Sequence, residues 1–167
     1  MRDPRDKILP RERLARLVRS GAAGPVALAN GLFDLVHVGH ARYLADARAR
    51  CGLLVVALND DASAEALRGP GRPIVPLPGR LLVVAAFRAV DYVTWFPERT
   101  AAATLRLLRP RFHVKGTDYR PGTLPEEERR AHEELGIEVL IAGDPKRHAT
   151  TDLIRTILAR TPPSGAR

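Results

Sequence analysis

Residues 30–41 read Asn30-Gly31-Leu32-Phe33-Asp34-Leu35-Val36-His37-Val38-Gly39-His40-Ala41, and this stretch decides the fold. An apolar run, Val26-Ala27-Leu28-Ala29, leads into it, and a helical pattern from Ala41 to Arg48 leads out. Two histidines three residues apart therefore sit where a strand hands over to a helix. In an open α/β sheet that is where ligands bind. The unpaired N–H groups of a helix N-terminus attract phosphate. Gly39, between the histidines, has no side chain to keep a phosphate off the backbone. Two imidazoles over such a helix end point to chemistry at phosphorus. Two ordinary loop or core histidines are the alternative.

Outward from the motif, strands and helices alternate. Residues 10–20 form an amphipathic helix with Leu14, Leu17 and Val18 on one face, and the first strand covers 25–29. The motif helix spans 39–50 and stops at Gly52. The apolar run 53–58 reads as a parallel strand buried on both faces. Further strands are expected at 92–96, 112–115 and 137–141. Helices are expected at 61–67, 78–89, 101–108, 126–135 and 151–160, with a loop at 69–73. This pattern predicts an α/β fold: a doubly wound, mainly parallel five-stranded sheet in a single domain over residues 1–160. Residues 161–167 are expected to be a disordered tail.

Length and composition fit one domain of 167 residues, 45% of them hydrophobic. No apolar run approaches the length of a membrane span. Met1 to Lys7 lacks the apolar core of a signal peptide, and Cys51 is the only cysteine. A cytoplasmic protein with no membrane partner is expected. The net charge of +8 suits a polyanion. The arginines are dispersed, however, and aromatics make up only 5%, so no basic stripe for nucleic acid appears. A small phosphorylated substrate is the better partner for that charge.

Four further segments carry candidate site residues. Asn59 and Asp61 end the second strand and face the crevice, with a helix cap as the alternative reading. Arg68, Arg72 and Arg80 can clamp phosphates with planar forks of donors, or merely decorate an exposed loop. After the fourth strand, Lys115 offers a point charge to phosphate, Gly116 allows close approach, and Asp118 can accept from a ribose. Thr150 and Thr151 open the last helix, where they can cap it, bind phosphate oxygens, or both. His148, just before them, has no partner that the sequence identifies.

The motif resembles the HxGH signature of the nucleotidyltransferase superfamily, in which it follows (T/N)G-x-FD after the first strand. Asn30, Gly31, Phe33, Asp34, His37, Gly39 and His40 fill every one of those positions. Over residues 12–160 the chain resembles one branch, the adenylyltransferase domain of the ADP-heptose synthases. The matching pieces are NGLFDLVHVGH, VVALNDDAS, LRGPGRPIVPLPGR, VDYVTWF, LRPRFHVKGTDY and TTDLI. Leu32 departs from that branch's usual Cys, Thr117 from a common Gly, and residues 143–149 from its usual segment before Ser-Thr-Thr.

The resemblance implies a Rossmann-like fold and an enzyme that joins AMP from ATP to a sugar 1-phosphate, a heptose 1-phosphate, releasing pyrophosphate. It implies His37, His40 and Lys115 as catalytic residues. Asn30, Gly31, Phe33, Asp34, Gly39, Gly116, Asp118, Thr150 and Thr151 would bind the nucleotide. Asn59, Asp61, Arg68, Arg72 and Arg80 would bind the acceptor. No protein metal site is implied, because Mg²⁺ would be bridged by the substrate phosphates. A homodimer is implied as well. Two other readings stand beside this one: a cytidylyltransferase using CTP and a polyol phosphate such as glycerol 3-phosphate, and a non-catalytic basic nucleotide- or nucleic-acid-binding module.

Overall fold

A computed structural model describes residues 3–19, 24–144 and 150–160, the last group without the side chains of 150–152. The expected tail and the segment around Lys146 and His148 lie outside the described residues. The apolar runs become strands β1 (Val26–Gly31), β2 (Leu53–Asn59), β3 (Tyr92–Phe96), β4 (Phe112–Gly116) and β5 (Glu138–Ala142). They form one sheet in the order β3-β2-β1-β4-β5. Every pairing is parallel. The strand order reverses between β1 and β4, and a crevice opens at such a switch point, beyond the strands' C-terminal ends.

The helices are α1 (Arg11–Arg19), α2 (Val38–Ala49), α3 (Asp61–Arg68), α4 (Leu77–Ala85), α5 (Ala102–Leu108), α6 (Glu126–Leu135) and α7 (Thr150–Arg160). Side chains alternate across the sheet with a period of two. Ala27, Ala29, Leu54, Val56 and Val114 face one core with Leu44 and Ala47 of α2 and Leu81 and Val84 of α4. Val26, Leu28, Val55 and Ala57 face the other, with Leu14 of α1, Leu105 and Leu108 of α5 and Ala131 of α6. Leu28 pairs with His113 in register, so Asn30, His113 and Lys115 belong to the second face, under α6. That parity places the site's polar residues behind the sheet as well as at its edge.

Two boundaries differ from expectation for physical reasons. β1 runs on through Asn30 and Gly31, because both continue the ladder to Ala57 and Leu58 of β2. α4 ends at Ala85, not residue 89, and turns follow in which Phe87 N–H donates to Val84 O and Val90 N–H to Phe87 O. Lys7 Nζ donates to that same Phe87 carbonyl at 3.0 Å from a short 3₁₀ turn, Pro4–Lys7, which the sequence did not announce.

Gly143, just past β5, has φ +87°, and a Cβ there would lie 3.2 Å from Tyr43 Cα of α2. Its N–H donates to Asp46 Oδ2 at 2.9 Å. Gly143→Ala therefore meets both a left-handed backbone and a rigid neighbour. The expected cost is on the order of 1–3 kcal/mol, read as a melting temperature lower by about 2–4 °C per kcal/mol. Unchanged thermal unfolding would contradict this close approach.

Candidate active site

The two motif histidines build the start of α2. His37 is its N-cap, in extended backbone (φ −139°, ψ 175°), and its Nδ1 accepts the Gly39 N–H at 3.1 Å. His40 Nδ1 accepts the His37 N–H at 3.3 Å. The pair thus forms a capping box from imidazoles, where a Ser and a Glu would be usual. A neutral imidazole that accepts at Nδ1 carries its proton on Nε2. Both rings are thereby set to donate through Nε2. Their centroids lie 4.1 Å apart with planes tilted 43°.

Phe33 packs against His40 at 5.1 Å and is itself buried. Its φ of 49° is left-handed, which is unfavourable for a side chain with a Cβ by about 1–2 kcal/mol. That strain sits in the sharp turn between β1 and α2. Gly31 precedes the turn, and Gly39 lies in the first turn of α2. Tyr43 of α2 donates its hydroxyl to Val114 O of β4 at 2.9 Å, which fixes the helix against the far side of the switch point. Burial, helped by the nearby Asp118 charge, raises the Tyr43 pKa and keeps the phenol protonated.

Asn30 and Lys115 end the adjacent strands β1 and β4. Lys115 Nζ lies 3.4 Å from Asn30 Oδ1 and 3.2 Å from Glu128 Oε2 of α6. Asn30 Oδ1 also lies 2.8 Å from His113 Nε2, and His113 Nδ1 lies 2.7 Å from His132 Nε2. Glu128 Oε1 accepts the Ala101 N–H at 2.9 Å. With Asn30 Oδ1 an acceptor, His113 donates from Nε2 and accepts His132's proton at Nδ1. Burial holds the His113 pKa well below 6.5, and the nearby charges of Lys115 and His132 add to the effect. Burial lowers Lys115 too, and Glu128 opposes it.

His113, Glu128 and His132 were not singled out in the sequence. Two signals were available: the i, i+2 spacing of His113 to Lys115 on a strand, and the i, i+4 spacing of Glu128 to His132 on a helix.

Beyond β4 a cleft of about 230 Å³ is lined by Lys115, Gly116, Asp118, Tyr119, Thr123 and Leu124. A Cβ on Gly116 would lie 2.8 Å from Asp118 Oδ1, so a side chain there would displace the Asp118 carboxylate. Thr117, at the position where Gly was the common residue, donates its hydroxyl to Asp144 O at 2.9 Å and ties the β4 and β5 loops together.

Several residues expected to bind ligand are held by the protein itself. Arg80 turns its fork inward. Its side chain is 0% exposed, and it donates to Val75 O, Leu32 O, Asn59 O and Asp61 Oδ1 at 2.6–2.9 Å. Asn59 is buried, and its amide donates to Ser63 Oγ and Glu98 O instead of facing a sugar. Asp61 accepts from Leu77 N–H as well as from Arg80, and so it anchors α4.

Asp34, expected to bind nucleotide, is buried and accepts from Ile74 N–H and Val75 N–H while pairing with Arg72 at 2.8 Å. Arg72 is thereby bound into the rim. Arg68 is exposed in the last turn of α3. Thr150 and Thr151 open α7, and their side chains lie outside the described residues. Among the described residues, no group of three or more His, Cys, Asp or Glu side chains is disposed to hold a metal ion. No helix among them is long and apolar enough to cross a membrane.

An open parallel sheet with polar groups converging at its switch point defines a Rossmann-like protein with a ligand crevice beyond the C-terminal ends of its strands. The chain belongs to the cytidylyltransferase-like family, whose profile matches residues 28–157. It is 50% identical over 110 residues to the bifunctional protein HldE of Gluconacetobacter diazotrophicus, covering 66% of this chain and 22% of that protein. Against HldE of Halorhodospira halophila it is 42% identical over 150 residues, which cover 88% of this chain and 31% of the relative. The chain thus spans under a third of these curated relatives. The crystal structure of the lipopolysaccharide core biosynthesis protein from Thermoplasma volcanium GSS1 shares the fold. Its TM-score is 0.61 at 24% identity, and the match covers 74% of this chain and 99% of that one.

Two predictions follow from this geometry. His37→Ala should lose about 1 kcal/mol of stability with its cap, whereas His37→Asn keeps an N-cap acceptor and lacks the Nε2 donor. If Nε2 acts on a transition state, both variants lose turnover by roughly 10² or more, and thermal unfolding distinguishes them. The second concerns pH. His113 is neutral when folded and takes up a proton near 6.5 when unfolded, so the unfolded chain binds more protons below that pH. Stability contributed by His113 should therefore fall as pH drops below about 6.5 toward its lowered folded value. Denaturant titrations of His113→Gln against the parent should show a smaller loss between pH 7.5 and 5.5.

Proposed function

We infer that this chain is an adenylyltransferase acting on a sugar 1-phosphate, with a heptose 1-phosphate as acceptor. The observation that carries the reading is the histidine capping box, which sets two Nε2 donors at the N-terminus of α2 beside the switch point. An acceptor phosphate oxygen attacks the α-phosphorus of ATP in line. A new P–O bond forms, the α–β bridging bond breaks, and pyrophosphate leaves with the electron pair. Such a transfer needs position and charge stabilisation more than covalent help.

His37 and His40 donate to phosphate oxygens as charge moves to the leaving group. Lys115 holds a phosphate from the end of β4, and the first turn of α7, with Thr150 and Thr151, holds another. The cleft beyond Lys115 is below the 300–1,000 Å³ range of sites for drug-sized ligands, so it fits a part of the nucleotide such as the base or ribose. Mg²⁺ would neutralise phosphate charge while held by the phosphates themselves, which fits a chain whose described carboxylates at the rim are tied to arginines and backbone N–H groups. On the resemblance to ADP-heptose synthases, the enzyme works in the cytoplasm as a homodimer.

The family's description supports CTP as the donor of a second reading, in which the acceptor is a polyol phosphate such as glycerol 3-phosphate. A matrix of ATP and CTP against sugar and polyol phosphates, read by pyrophosphate release and product mass, separates the two. ATP with a heptose 1-phosphate should show the highest kcat/KM. A preference for CTP overturns the base and acceptor assignment, and absence of turnover with every pair favours a binding module. Lys115→Ala should reduce triphosphate affinity or turnover by roughly tenfold or more, the range for a charge-assisted hydrogen bond worth about 1.5–3 kcal/mol. Unchanged calorimetric affinity and rate would remove Lys115 from the site.

A further inference from the structure

Lys115 is a cation in an unfavourable place. Its side chain is 19% exposed, and a buried ammonium tends to shed its proton unless an anion faces it. The groups around it come from several elements. α6 supplies Glu128 and His132, β1 supplies Asn30, and β4 itself supplies His113. β5 places apolar Ile141 in register beside it, and the following loop lines the cleft with Asp118 and Tyr119. Glu128 is the carboxylate that ion-pairs the ammonium. Its side chain is 4% exposed, and its second oxygen is held by the Ala101 N–H at the start of α5. A carboxylate fixed at one oxygen by backbone cannot swing away, so the other oxygen defines where the ammonium sits. Asn30 Oδ1 gives the lysine a second fixed acceptor, and His113, backed by His132, orients that amide.

We propose that Glu128 is a positioning residue of the site: from α6, behind the sheet, it keeps Lys115 an ammonium and aims it at the cleft beyond β4. The affinity of the site for phosphate then depends on a carboxylate that no ligand touches. The functional half rests on the reading of Lys115 as a phosphate ligand; the charge-setting half stands on the geometry alone. Burial of both partners explains why the pair matters. An exposed pair contributes little, whereas removing one member of a buried pair leaves an uncompensated charge, which neutralises instead.

The test reads the lysine directly. The sequence has three lysines, Lys7, Lys115 and Lys146, so ¹³C-labelled lysine gives a spectrum in which Lys115→Arg identifies the Lys115 ε-carbon signal. Glu128→Gln keeps an oxygen for the Ala101 N–H and removes the charge. The Lys115 titration should move to lower pH by about one unit or more. The basic limb of kcat/KM for pyrophosphate release should move with it, and activity should recover as the pH is lowered into the range where the lysine is again protonated. A purely structural Glu128 would lower activity at all pH values without displacing that limb.

An unmoved Lys115 titration in folded Glu128→Gln protein overturns the proposal. A moved titration in a protein that neither binds nor turns over triphosphate, parent included, upholds the charge-setting role and overturns the functional reading instead. Should Glu128→Gln fail to fold, Glu128→Asp, which draws the carboxylate back from the ammonium by one methylene, takes its place. The Lys115 titration should again move to lower pH than in the parent, and an unmoved titration overturns the proposal.

Discussion

A guanidinium enclosed in protein must find acceptors for its donors, and Arg80 finds them in three different parts of the chain. Leu32 O comes from the turn after β1, Asn59 O from the end of β2, and Val75 O and Asp61 Oδ1 from the loop and helix between. The planar fork fixes all of these directions at once, which a lysine could not do. The ends of β1 and β2 and the start of α4 are thereby locked into one frame. Asp34 does the same from the other side, accepting from Ile74 and Val75 N–H while pairing with Arg72. The two charged clamps hold Leu32 and Asp34, on either side of Phe33, in the short connection that leads on to His37 and His40.

Rigidity at that connection has a use. Phe33 in a left-handed conformation is an unfavourable turn, and such a turn persists only where its surroundings over-determine it. The clamps supply that surrounding. The histidines then reach the helix N-terminus with their Nδ1 atoms already committed to backbone N–H groups, so the direction of each Nε2 proton is set before any ligand arrives. Donors pre-arranged in this way need no reorganisation as charge develops, which is the condition for electrostatic stabilisation to be large.

Much of this was legible in the sequence, but not evenly. The apolar run at 53–58 announces a buried parallel strand because both faces of the sheet are covered there, so no alternation dilutes the signal. The motif at 30–40 marks the switch point because it stands where an apolar strand hands over to a helix. How the rim residues are held is something that sequence cannot reveal. Arg72, Arg80, Asn59 and Asp61 are polar and near the crevice, as read, but whether a polar side chain faces the ligand or the backbone depends on burial. The β4–α6 chain escaped notice because its members come from segments far apart. His113 looked like part of an apolar strand and Glu128 like one acid among several on a charged helix, until α6 packed on the sheet and brought Glu128 to Lys115 and His132 to His113.

The charge of the site is a matter of arrangement, and the net charge of +8 does not explain it. Most of the arginines that carry that charge are spread over the surface or spent on internal pairs, as Arg72 and Arg80 are. At the switch point the parallel sheet turns the positive end of α2 toward the crevice, and β4 adds the Lys115 ammonium. Asp34, Asp61 and Glu128 each have a cation and a backbone donor of their own. Asp34 and Asp61 are held within the rim, and Glu128 sits on the far side of the lysine from the cleft. An anion entering the crevice therefore meets donors in front, while the carboxylates that hold those donors in place stay behind them. Under the proposed function, separating compensation from recognition lets a buried cation stay charged without cancelling its attraction for phosphate.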